Sequence, residues 1–171
     1  MTSPILQNSL WTVKQIAAFV AEARQKPTMH RSRYYKVSFL MAASVVEVYV
    51  FRIIKSYCAN NTVESRREYK YYSLHLLPKE LFKDREGVVG IYEKRPVAFE
   101  WKDNIDWKKM NEIGRKYGLF DRRLYRKLER IRAKRNGIHI QSVPFKDHKY
   151  TKKDVDYVGS VLLEVLDVME S

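Results

Sequence analysis

Between Ile131 and Ile140 the chain reads Ile131-Arg132-Ala133-Lys134-Arg135-Asn136-Gly137-Ile138-His139-Ile140. If one helix runs through this stretch, seven steps of about 100° bring Arg132 and His139 within about 20° of two full turns, on one face. Arg135 lies one turn before His139 on the same side, and Asn136 flanks it. A guanidinium, a carboxamide and an imidazole would then converge on one patch. That set suits phosphodiester cleavage without a metal. Histidine titrates near neutral pH and can take or return a proton. Arginine binds phosphate through paired N–H groups and stabilises charge that develops in the transition state. With RNA the nucleophile is the substrate's own 2′-hydroxyl, so neither serine nor cysteine is required. A neighbouring guanidinium lowers the histidine pKa and favours a base over a permanent cation. The same residues also admit a purely structural reading. A basic run near a helix end complements the helix dipole, and Asn136-Gly137 is an ordinary helix terminator.

These residues need elements to hold them, and the chain supplies a series of helical patterns. Asn8 or Ser9 can cap a first helix with Leu10, Val13, Ile16, Ala17 and Val20 on one face, ending before Pro27. A second helix is expected from about Arg31 to Tyr57, apolar nearly all round between Phe39 and Phe51, with Asn60 and Asn61 closing it. Residues 64–83 read as a third, more exposed helix with a weaker pattern, interrupted by Pro78. Gly87, Gly90 and Pro96 lie among Val88, Val89, Ile91, Tyr92, Val97, Phe99 and Trp101, which fits a short hairpin or ordered loop over 84–105. Asp106 then opens a short helix that Gly118 stops. Asp121 caps the next, with Leu124, Leu128 and Ile131 at helical spacing. After a connection containing Pro144, Thr151 and Asp154 make a capping-box-like start. Val155, Val158, Leu162, Val165 and Met169 form the apolar stripe of the final helix. The expectation is one mainly α-helical domain over residues 1–171, a bundle with a small insertion.

Composition narrows the function classes. The 171 residues include six glycines and five prolines, too few for the turns of an all-β sandwich. The single cysteine, Cys58, excludes an internal disulfide and any cysteine-rich zinc module, and points to a reducing, cytoplasmic setting. Lys and Arg number 33 against 20 Asp and Glu, a formal net charge of +13. Such an excess favours a polyanion, and RNA is the leading partner. The one membrane-like stretch, Val37 to Ile54, contains Glu47 and Arg52, each costly by about 3 kcal/mol at a bilayer centre. It is expected to be a buried central helix, with no membrane partner. His30, His75 and His148 have no metal-ligand spacing with each other or with Cys58. No phosphate-cradling glycine loop or nucleophile elbow occurs.

The Arg-His stretch resembles the signature of the HEPN superfamily, small helical domains whose motif is Arg, four to six residues, then His, often with Asn after an Arg. Arg132 and His139 match with six residues between them, and Arg135-Asn136 matches the Arg-polar pair three residues before His139. Lys36-Val37-Ser38-Phe39-Leu40-Met41-Ala42-Ala43-Ser44-Val45-Val46-Glu47 resembles the family's long central helix, where an Ala-rich apolar stretch leads to an acidic residue. The helix entered by Thr151-Lys152-Lys153-Asp154-Val155 falls where the family has its last one. The resemblance implies a HEPN-like helical bundle and a homodimer whose two motifs form one composite site. It implies metal-independent, cofactor-free endoribonuclease activity leaving 2′,3′-cyclic phosphate ends. Many relatives are toxins or defence effectors, so an antitoxin or other regulatory partner is a further expectation. Others are inert modules that bind RNA or proteins.

On this reading Arg132 and Arg135 hold the scissile phosphate, Asn136 helps position it, and His139 is the base or acid. Either arginine can be the one that matters most. Glu47, if buried, needs a cation, and Arg132 or Arg135 is the natural one; otherwise it sits at an exposed helix edge. Arg122, Arg123, Arg126, Lys127, Arg130 and Lys134 lead toward the patch and form the expected RNA track. Arg66, Arg67 and Lys70 interleave with Tyr69, Tyr71 and Tyr72, which could stack on unpaired bases or simply pack.

Overall fold

The computed structural model describes residues 4–76, 90–99, 101, 102, 104–137 and 150–170. These contain five helices and one two-stranded antiparallel sheet, and the protein is mainly α-helical as expected. The chain divides into two compact units, Met1–Ser56 with Asn104–Ser171, and Tyr57–Asp103.

The first unit contains α1 (Pro4–Gln25), most of α2 (Thr28–Asn60), α3 (Trp107–Lys116), α4 (Arg122–Asn136) and α5 (Lys152–Glu170). α1 begins at Pro4, earlier than the Asn8 or Ser9 cap anticipated. Proline is tolerated there, because the first N–H of a helix has no intrahelical acceptor to lose. α2 turns Phe39, Ala43, Val46, Val50 and Ile54 wholly inward, a wide apolar stripe at spacings of three and four. It is not buried all round, however: Val37 and Val48 remain exposed, and Ser44 lies between them on the outer face. α2 is long and apolar enough to cross a membrane by length and composition. Met110 and Ile113 of α3, Leu128 and Ile131 of α4, and Val158, Val161 and Val165 of α5 are buried as well.

Local chemistry fixes where the shorter helices begin. Asp106 Oδ1 accepts the Lys109 N–H at 2.8 Å, and Asp121 Oδ1 accepts the Leu124 N–H at 2.6 Å. Each carboxylate satisfies a donor that the first turn leaves orphaned. Asp154 Oδ2 takes both the backbone N–H and the hydroxyl of Thr151, each at 2.9 Å, at the start of α5. The stripe of α5 differs slightly from expectation: Val161 is buried, Leu162 half-buried and Met169 exposed. α3 ends where Gly118 takes φ +75°, and the Phe120 N–H returns to the Gly114 carbonyl at 3.0 Å.

The second unit corrects the reading of residues 64–76, while residues 77–83 with Pro78 lie outside the described residues. Instead of a helix, β1 (Glu64–Leu76) pairs antiparallel with β2 (Gly90–Ala98), with Lys70 opposite Arg95 and Tyr72 opposite Glu93. Register shifts fall between Glu64 and Tyr69 and between Ser73 and His75. Within the stretch 84–105, expected to form a short hairpin or ordered loop, residues 90–98 form a single strand, and its partner comes from residues expected to be helical. The tyrosines favour a pleated strand, but the charged residues between them do not, and a partner strand settles the matter non-locally. The Phe99 N–H donates to the Val63 carbonyl at 2.6 Å beside the sheet.

Candidate active site

α4 carries Arg132, Arg135 and Asn136 through its last two turns. It closes at Asn136, with the Gly137 N–H donating to the Ala133 carbonyl at 3.0 Å. Of the two courses the sequence allowed, a helix running on through His139 or one ended at Gly137, α4 takes the second, and His139 lies outside the described residues. Asn136-Gly137 acts as the terminator that its sequence also allowed.

Each arginine has its own carboxylate. The Arg135 Nη1 lies 2.9 Å from Glu47 Oε2, an ion pair that ties α4 to the middle of α2. Both side chains are about one-third exposed, so Glu47 is neither deeply buried nor loose at an edge. The Arg135 guanidinium carbon also stands 5.6 Å from the centre of the Trp107 ring of α3. Arg132 binds Glu129 one turn earlier on its own helix: Nε reaches both carboxylate oxygens at 3.1 Å, and Nη2 reaches Oε2 at 2.7 Å. Glu129 is held from a second helix as well, because Asn111 Nδ2 of α3 donates to its Oε1 at 2.7 Å. Burial pushes the Glu129 carboxyl upward, but bonds from Arg132 and Asn111 and the charges of Arg132 and Lys108 outweigh it and hold it below its ordinary range. The Glu129 bond raises the Arg132 pKa further. Glu129 is therefore ionised and Arg132 permanently cationic at neutral pH.

Three steps of about 100° put Arg132 and Arg135 some 60° apart around α4. Asn136 is exposed at the end of the helix. Behind it, Arg122, Arg126 and Arg130 recur every four residues on the exposed face, with Arg123 exposed beside them. The Arg130 guanidinium sits over the Tyr157 ring, 4.8 Å from its centre. The two lysines of the expected track behave differently. Lys127 pairs with Glu164 of α5. Lys134 pairs with Asp154 and lies over the Tyr150 and Phe39 rings at 4.7 and 5.6 Å. Both lysines fasten α4 to its neighbours and present less charge outward than the arginines.

Asn111, Glu129 and Trp107 were not singled out from sequence. The available signal was a carboxamide at a core position of α3, one turn after Trp107 and beside Met110 and Gly114. Among the described residues, no group of three His, Cys, Asp or Glu side chains could share a metal ion. Burial raises the pKa of the half-buried Cys58 thiol. The side chains of Arg66, Arg67, Lys70 and the neighbouring tyrosines lie outside the described set, as does His148.

No family model matches the chain, and neither a curated protein nor a solved structure matches it.

Proposed function

We propose that this protein is a metal-independent endoribonuclease of the HEPN type, active as a homodimer, with α4 as its catalytic helix. The observation that carries the reading is the pair of arginines three residues apart, each oriented by a carboxylate, at the end of an exposed arginine row. Arg132 and Arg135 grip the scissile phosphate and offset the charge that grows on it, and Asn136 adds a neutral donor. His139 removes the proton of the 2′-hydroxyl, whose oxygen attacks phosphorus. The 5′-oxygen leaves with a proton from the second protomer's His139, giving a 2′,3′-cyclic phosphate and a 5′-hydroxyl. Arg122, Arg123, Arg126 and Arg130 steer the RNA backbone toward this patch.

A second reading rests on the same ion pairs. Both arginines are already engaged by Glu129 and Glu47, as they would be in an inert module that binds RNA through the exposed arginines alone. Incubating purified protein with mixed single-stranded RNA in EDTA separates the two. Cleavage with cyclic phosphate ends, abolished by His139→Ala, is the expected result. Intact RNA at high protein concentration, with retained binding, overturns the enzyme reading in favour of the module.

A further inference from the structure

Asn111 is wholly buried on the core face of α3, where an aliphatic side chain of the same size would pack without polar cost. Its Nδ2 donates to Glu129, yet its Oδ1 is buried with no partner among the described residues. An orphaned buried acceptor weakens a fold. The carboxamide therefore brings a penalty, and its one bond goes to the carboxylate that holds Arg132. Without that bond, Glu129 and Arg132 would be an ordinary pair three residues apart on one helix, free to exchange rotamers. With it, the carboxylate is fixed from two helices at once.

We infer that Asn111 is a positioning residue for Arg132, acting through Glu129. The bonds to Glu129 use Nε and Nη2 of the guanidinium, and Nη1 makes none among the described residues. The end of the fork is thus presented in a fixed plane, the orientation a phosphate needs for two parallel N–H bonds. This rests on the proposed reading of Arg132 as a phosphate ligand, and its test contains a readout that does not require cleavage.

The test compares full-length wild type with Asn111→Leu and Glu129→Gln, the second remaining informative if the first fails to fold. Arginine Nε–Hε NMR signals report whether Arg132 is held, and single-stranded RNA cleavage in EDTA reports function. Asn111→Leu is expected to melt no lower than wild type while the Arg132 Hε signal shifts toward that of free arginine. The kcat should fall at least tenfold with KM changed less than threefold, and Glu129→Gln should do the same. An unmoved Hε signal in a folded Asn111→Leu protein overturns the inference, as does an unchanged kcat where Arg132→Ala is inactive. If wild type cleaves nothing, the enzyme reading falls, and the Hε signal alone decides for or against positioning.

Discussion

Replacing Gly114 by alanine puts a Cβ 2.2 and 2.3 Å from Cδ2 and Cε2 of Phe120. Comfortable carbon contacts need about 3.5–4.0 Å, so ring and helix must part by more than an ångström. The ring has little room to yield: Phe120 is fully buried, and its N–H is bonded to the Gly114 carbonyl itself. Overpacking commonly costs about 1–3 kcal/mol, and an overlap this deep belongs at the upper end. Alanine's better helix propensity returns about 1 kcal/mol. The net loss should be about 2 kcal/mol, or roughly 4–8 °C in Tm for a chain of this size. Gly159, inside α5, is the built-in control, because a Cβ there meets nothing within 4 Å. Gly159→Ala should therefore gain about 0.5–1 kcal/mol, the same chemical change with the opposite sign. Urea titration by circular dichroism reads both as shifts in midpoint at constant slope. Equal shifts in one direction would refute the packing argument. Because α3 also carries Trp107 and Asn111, Gly114→Ala should loosen the contacts that hold both arginines.

Arg135→Ala should reduce cleavage at least as much as Arg132→Ala, since Arg135 bridges three helices through Glu47 and Trp107; a pair in which only Arg132 matters overturns this. A double-mutant cycle of Glu47→Gln and Arg135→Gln should give a coupling of about 0.5–1 kcal/mol, as for a partly exposed pair. Asp154 is pushed up by burial but held lower still by Lys134 and Thr151, and Glu129 is lowered likewise. The unfolded chain therefore binds more protons in the carboxylate range. Stability from these two groups is complete above the unfolded values of about 3.9 and 4.3 and is lost as pH falls through the folded ones. The urea midpoint should drop between pH 6 and pH 3, and drop less in Lys134→Met. Sedimentation across a salt series should detect a dimer whose interface includes residues 132–139, favoured by moderate salt or RNA because two basic patches meet. Mixing His139→Ala with wild type should lower activity per wild-type chain, and a monomeric, fully active enzyme would sink the shared site.

The elements that were legible in the sequence are those with local causes. Asp106, Asp121 and the Thr151–Asp154 pair announce helix starts because a side chain three residues away satisfies a backbone donor. The stripe Leu124, Leu128, Ile131 needs only the helix period. β1 has no such local cause: its basic and tyrosine-rich residues suit either a solvated helix or a strand, and β2 decides between them. The link from Glu47 to Arg135 could be anticipated as a choice between two arginines, because a carboxylate amid apolar residues needs a cation. Choosing Arg135 over Arg132 required knowing that Glu129 already occupies Arg132. That in turn depends on Asn111 reaching across from α3, a contact no spacing within α4 encodes.

The basic track makes the sharpest distinction between charge in a sequence and charge on a surface. Six cationic residues lie between Arg122 and Lys134 in the expected track, yet Lys127 and Lys134 are paired to Glu164 and Asp154. Those ammonium groups are compact point charges that join helices, whereas Arg122, Arg123 and Arg126 are exposed, and Arg130 is exposed with its guanidinium over Tyr157. Only the outward charges can displace counterions from an RNA strand. Each phosphate contact with single-stranded RNA contributes about 0.7 to the slope of log affinity against log salt. Arg126→Ala should therefore flatten that slope by about 0.7 and leave the fold intact. Lys127→Ala should leave the slope within half that change but weaken the α4–α5 packing by about 1 kcal/mol. Filter binding at a series of potassium chloride concentrations, beside a urea titration of each variant, measures both quantities. A Lys127→Ala slope as shallow as that of Arg126→Ala would mean that the ion pair opens to meet RNA, and the division between fastening lysines and steering arginines would be lost.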